Sequence, residues 1–112
     1  MAQNIFELST RLDPAEEEII EVLATGEQIK IERILSCGQQ SAPGFWYDQQ
    51  SDEWVLLIQG QAQLVFADGE ICTLRNGDTL FIPAHRKHRV EWTSSHPPCI
   101  WLAVHSKMRV PE

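Results

Sequence analysis

Two stretches of the chain hold the side chains whose types and spacing could do chemistry: GFWYDQQSDEWVLLIQG from Gly44 to Gly60, and GDTLFIPAHRKHRVEW from Gly77 to Trp92. In the second, alternation along a strand puts His88, Val90 and Trp92 on one face and turns Arg89 and Glu91 to solvent. In the first, Glu53 shares its face with Val55 and Leu57, which leaves a carboxylate at the end of an apolar row. A buried carboxylate needs a partner. His88 is the candidate, giving either a metal-free acid and imidazole pair or two ligands of an ion.

Around this pair the aromatics Trp46, Tyr47, Phe81, Trp92 and Trp101 suit the wall of a pocket for an apolar or ring-shaped ligand, and equally the core of a β-sandwich. Of the remaining histidines, His85 and His96 read as turn residues. His105 falls on the strand face of Trp101 and Ala103, with no chemical role expected. No nucleophile elbow, phosphate-binding glycine loop or Cys-His signature occurs, so acyl or phosphoryl transfer by those constellations has no support.

The elements that must position these groups follow from periodicity. Leu12 to Gly26, LDPAEEEIIEVLATG, predicts one short helix, with Asp13 as its N-cap, Pro14 in the first turn, Gly26 as the stop and Ile19, Ile20 and Leu23 as its buried stripe. The period then changes to two. Strands are expected at Gln28 to Ser36, Trp54 to Ile58, Ala62 to Phe66, Ile71 to Leu74, Thr79 to Ile82, His88 to Trp92 and Cys99 to His105. QGQ, ADGE, RNGD and SSHPP supply the turns between the later strands. With no helix between them these strands cannot form parallel crossovers, so the fold is all-β and antiparallel. WVLLI and CIWLAV are apolar on both faces, so the helix or a partner subunit is expected to cover an outer face.

The chain has 112 residues, enough for one domain and one core. The expected division is an N-terminal arm and short helix over residues 1–27 and a β-barrel over 28–106. A net charge of -7, with only Arg86, Lys87 and Arg89 clustered, argues against nucleic acid. No segment approaches the run of about 20 apolar residues that a membrane span requires, and a cytoplasmic protein is expected. Cys37, Cys72 and Cys99 are odd in number and widely spaced, and read as reduced packing residues.

The two stretches, in this order, resemble the paired motifs of the cupin superfamily. Gly77, Pro83 and His88 stand at the glycine, proline and metal-binding histidine of the second motif, and Glu53 and Gly60 match the latter half of the first. His85 replaces a glycine and Trp92 an asparagine. The His-x-His pair of the first motif is missing, its positions falling on Trp46 and Asp48 or on Tyr47 and Gln49. The resemblance implies a cupin-like β-barrel, or double-stranded jelly roll, and a homodimer. It implies a ligand pocket of Trp46, Tyr47, Glu53, His88 and Trp92, and a degenerate metal set of Glu53 and His88 with Asp48 or Gln49. One imidazole with oxygen ligands would suit manganese or iron better than zinc. The expected function is small-molecule binding in the barrel. The alternative is a metal-dependent oxygenase or isomerase, and an assembly module is a third possibility.

Overall fold

The computed structural model describes residues 1–8 and 11–111. Its strands are β1 (Ile19–Thr25), β2 (Ile29–Ser36), β3 (Asp52–Gln59), β4 (Ala62–Phe66), β5 (Ile71–Leu74), β6 (Thr79–Ile82), β7 (His88–Thr93) and β8 (Cys99–Ser106). They form a five-stranded sheet in the order β1-β2-β8-β3-β6 and a three-stranded sheet in the order β5-β4-β7, and every pairing is antiparallel. Three expected strands, β4, β5 and β6, have the bounds read from the sequence; β2, β7 and β8 differ from theirs by one residue at one end, and β3 starts two residues earlier and ends one later than expected.

The expected N-terminal helix does not form. Its second half is the edge strand β1, paired to β2 from Ile19 opposite Leu35 to Thr25 opposite Lys30. The capping signal at Asp13 is real but local: its carboxylate accepts from Ala15 N at 2.9 Å and its carbonyl accepts from Glu16 N at 3.0 Å, which closes a turn. Beyond that turn, isoleucine and valine favour an extended backbone, and β2 offers a full ladder of partners. Gly26 ends the strand instead of a helix, its N–H donating to Ile29 O at 2.8 Å in the connection to β2. No helix among the described residues is long and apolar enough to cross a membrane.

Between the sheets lies a core of Val55, Leu57, Ala62, Leu64, Phe66 and Ile82, closed at one side by Leu74, Cys99 and Trp101. Leu57, Ala62 and Cys99 are wholly buried. The three cysteines are free, as packing residues would be. Gly60 turns the chain from β3 into β4 at φ 105°, where a Cβ would come within 2.8 Å of Cys99 Sγ, so only glycine fits.

The apolar outer face of the large sheet is crossed by the N-terminal arm. Arg33, buried on that face, donates from Nη1 to Ile5 O at 3.0 Å and to Glu7 O at 2.6 Å, and its Nε bonds Glu21 at 2.7 Å. Arm and guanidinium thus cover part of the surface assigned to a helix.

Candidate functional site

Register across the large sheet decides which polar side chains enter the barrel. Glu53 on β3 lies directly opposite His105 on β8. Glu32 on β2 lies opposite Ala103, one inward position from His105, and the small Ala103 leaves space over which the two longer side chains meet. From the small sheet His88 enters beside Phe66. Val55, Leu64, Ile82 and Trp101 form the apolar floor of the resulting cavity, which has a volume of about 100 Å³.

Glu53 is the centre of the polar wall. One carboxylate oxygen lies 3.9 Å from His88 Nε2 and the other 3.8 Å from His105 Nε2. Both distances exceed a hydrogen bond. His105 is instead bonded to Glu32 Oε1 at 2.8 Å, and Lys30 Nζ approaches the other oxygen of Glu32 at 3.3 Å from the exposed side. The Nδ1 of His88 lies 2.9 Å from Arg86 O, an arrangement in which Nδ1–H donates to the carbonyl and Nε2 faces the cavity. Glu18, at the mouth, bonds Ser36 Oγ at 3.2 Å.

Burial shapes the acid-base character of these groups. Desolvation raises the Glu53 carboxyl above the ordinary carboxylate range, a rise that the nearby His105 opposes and Glu32 and Glu18 reinforce. Desolvation likewise raises Glu18 and lowers His88 below the ordinary imidazole value. At neutral pH the site therefore favours a neutral His88 and holds Glu53 nearer to protonation than a surface glutamate.

The loop bearing the three aromatics closes one side. Tyr47 pairs with His88 through both backbone bonds, at 2.7 and 3.2 Å, and its ring stacks on the imidazole at 5.3 Å between centroids. Tyr47 thereby reaches the cavity, and so does Gln49. Trp46 and Asp48, the alternate residues of the same extended segment, point away. Trp46 lies against Arg89 at 6.0 Å, and Asp48 is bonded to His85 Nδ1 at 2.9 Å on the exposed rim.

Of the pocket residues expected from the sequence, Tyr47, Glu53 and His88 therefore line the cavity, and Trp46 and Trp92 do not. Trp92 is turned out by a bulge in β7. Leu64 pairs with Val90 but Gln63 pairs with Trp92, so Glu91 is an extra residue and the alternation reverses after it. The inward place falls to Thr93, which is buried. Among the expected metal ligands, Glu53, His88 and Gln49 reach the cavity and Asp48 does not.

His105, Glu32 and Glu18 are the functional candidates that sequence reasoning passed over. His105 and Glu32 carried a legible signal, since Glu32 has the parity of Ile34, and His105 that of Trp101, on strands expected to face a core. The His-x-His positions hold no imidazole, Asp48 is committed to His85, and no group of three or more His, Cys, Asp or Glu among the described residues is placed to hold an ion.

Residues 34–105 match the family model described as a cupin domain, so the chain belongs to the cupin family. It is similar to a crystal structure from Ralstonia eutropha that bears the name "putative mannose-6-phosphate isomerase", with 42% identity, 96% of this chain and 99% of that one covered, and a TM-score of 0.86. It also shares its fold with a cupin superfamily protein of Desulfitobacterium hafniense (18% identity, 96% and 100% covered, TM-score 0.69). An RmlC-like cupin with a double-stranded β-helix fold from Methanocaldococcus jannaschii is similar in the same sense (18% identity, 94% of each chain covered, TM-score 0.66). No curated protein matches the chain.

Proposed function

We propose that this cupin binds a small molecule inside the barrel, with Glu53 and His88 as its polar anchors and Trp101, Val55 and Leu64 as its apolar seat. One observation carries the reading. Glu53 and His88 are 7% and 5% exposed and face the same cavity, 3.9 Å apart, with neither Glu53 oxygen nor the His88 Nε2 in a hydrogen bond within the described chain. Both groups are largely withdrawn from water and neither is committed to another protein group, so a ligand's donors and acceptors can replace what hydration they keep. The chemistry available to the pair is hydrogen bonding and proton exchange with a bound molecule.

A second reading is an isomerase that moves a proton between neighbouring carbons. The name on the Ralstonia relative and the opposed acid-base shifts of Glu53 and His88 favour it. In that reading Glu53 removes and returns the proton, and His88, held by the Arg86 carbonyl, stays close to the substrate oxygen.

A protein-observed NMR screen with fragments of both charges and none tests the binding reading. Hits are expected to shift the indole N–H of Trp101 and the imidazole signals of His88 and His105, and to be lost in Glu53→Gln. Hits that shift only residues outside the barrel would overturn it. Proton exchange with solvent at the carbon next to a carbonyl in a bound sugar, present in the native protein and absent in Glu53→Gln, would favour the isomerase.

A further inference from the structure

The charge balance of the cavity narrows the ligand, on the footing that the barrel binds a small molecule at all. Three carboxylates, Glu18, Glu32 and Glu53, contribute to its lining, and no lysine or arginine does. Lys30 and His105 are both directed at Glu32. Glu53 is left at 7% exposure with no hydrogen bond within the described chain and both oxygens facing the cavity. An anion placed there would meet carboxylates in a poorly solvated site, where like charge opposes binding. A cation would meet a carboxylate with both oxygens available, next to the apolar seat of Val55, Leu64 and Trp101.

Size sets the second limit. A cavity of about 100 Å³ is smaller than the ~150 Å³ that takes a benzene ring. It holds a short alkyl or small cyclic body, and excludes full burial of a phosphorylated hexose. Donor geometry sets the third. Three N–H groups radiating from one nitrogen can reach Glu53 and, at the same time, the free Nε2 of a neutral His88 as acceptor.

We propose that the pocket is selective for a small organic cation: a primary ammonium group on an apolar body of a few carbon atoms, bound between Glu53 and His88. The ammonium donates to Glu53, and the body lies on the Trp101 side. This specificity departs from what the phosphate in the Ralstonia relative's name would require.

The test compares isosteres. Calorimetric titrations of the chelator-treated full chain use n-butylamine, n-butanol, butyrate, inorganic phosphate and manganese chloride at pH 7. Butylammonium is expected to bind at least about tenfold more tightly than butanol, a difference of the size a charge-assisted hydrogen bond supplies, with butyrate and phosphate weaker still. The near-isosteric Glu53→Gln is expected to erase the preference for ammonium over butanol. Glu91→Gln, a surface change of the same charge, is expected to preserve it.

Equal binding of ammonium and alcohol, a preference for butyrate or phosphate, a response to manganese alone, or retention of the preference in Glu53→Gln would each overturn the proposal. A preference for alcohol or butyrate would leave the binding reading of the barrel intact. Failure of every organic compound to bind would remove both.

Discussion

The imidazole of His105 is joined to Glu32 at 2.8 Å, across the β2 and β8 strands and inside the barrel, with Glu53 as the next carboxylate at 3.8 Å. The pair fixes which side chain is spoken for and which is left to act. Because His105 is held by Glu32, Glu53 keeps its oxygens toward the cavity and toward His88.

Breaking the pair should be costly from either side. His105→Ala and Glu32→Gln are each expected to lower stability by about 1–3 kcal/mol, the range for a buried polar group deprived of its partner. The double variant should be less unstable than the sum of the two losses, with a coupling of about 0.5–3 kcal/mol in denaturant unfolding. Additive losses would show that the two side chains do not interact in solution.

Glu53→Gln should stabilise the protein at neutral pH. Desolvation raises the native Glu53 pKa above its unfolded value, so the native state holds the proton more tightly, and stability falls as pH rises through the window above 4.5. Glutamine removes that dependence. Melting temperatures from pH 4 to 8 should therefore show a gain that is largest near neutrality and shrinks toward about pH 4.5. A loss at every pH would mean that attraction to His105 outweighs desolvation. His88 acts in the opposite sense. Its lowered pKa costs stability as pH falls below 6.5, so the native protein is expected to be squeezed from both sides of a mildly acidic optimum.

Two glycines separate backbone strain from crowding. Gly69 has φ 96° and open space where a Cβ would stand, with no neighbouring atom within 4 Å, whereas Gly60 has φ 105° with Cys99 Sγ at 2.8 Å and Cys99 Cα at 2.9 Å from that position. Gly69→Ala should cost about 1–2 kcal/mol, the penalty for a left-handed L-residue. Gly60→Ala should add an overpacking loss of about 1–3 kcal/mol to that. Equal losses in chemical denaturation would mean that the β3 to β4 turn relaxes freely.

The two tryptophans assigned to the pocket by sequence, Trp46 and Trp92, can be tested against one that lines it. Trp92→Ala is expected to leave ligand affinity within about twofold, as surface changes away from a site do, whereas Trp101→Phe should weaken it and loosen the core. Loss of binding in Trp92→Ala would mean that the β7 bulge is not fixed in solution.

The barrel strands were legible because each is short and bounded by turn residues, and because Glu53 and His88 sit on faces that parity alone assigns. Trp92 was misplaced because parity holds only along an unbroken ladder, and no residue in RVEWT announces the bulge. The helix was misread because caps and glutamates are local signals, and the pairing of Ile19 to Thr25 with β2 outweighs them. Asp48 was placed among the metal ligands by motif position, yet its partner His85 lies 37 residues away along the chain. His105 and Glu32 were passed over for a related reason. Each lacks a motif; parity places both on an inner face, but their contact with each other is visible only when β2 and β8 are laid side by side.

The clasp of Arg33 on the carbonyls of Ile5 and Glu7 has a practical side. A protein chemist trimming the first eight residues as a dispensable tail would strip a buried guanidinium of two acceptors and bare the sheet surface beneath. Fusions are better appended ahead of that segment than substituted for it.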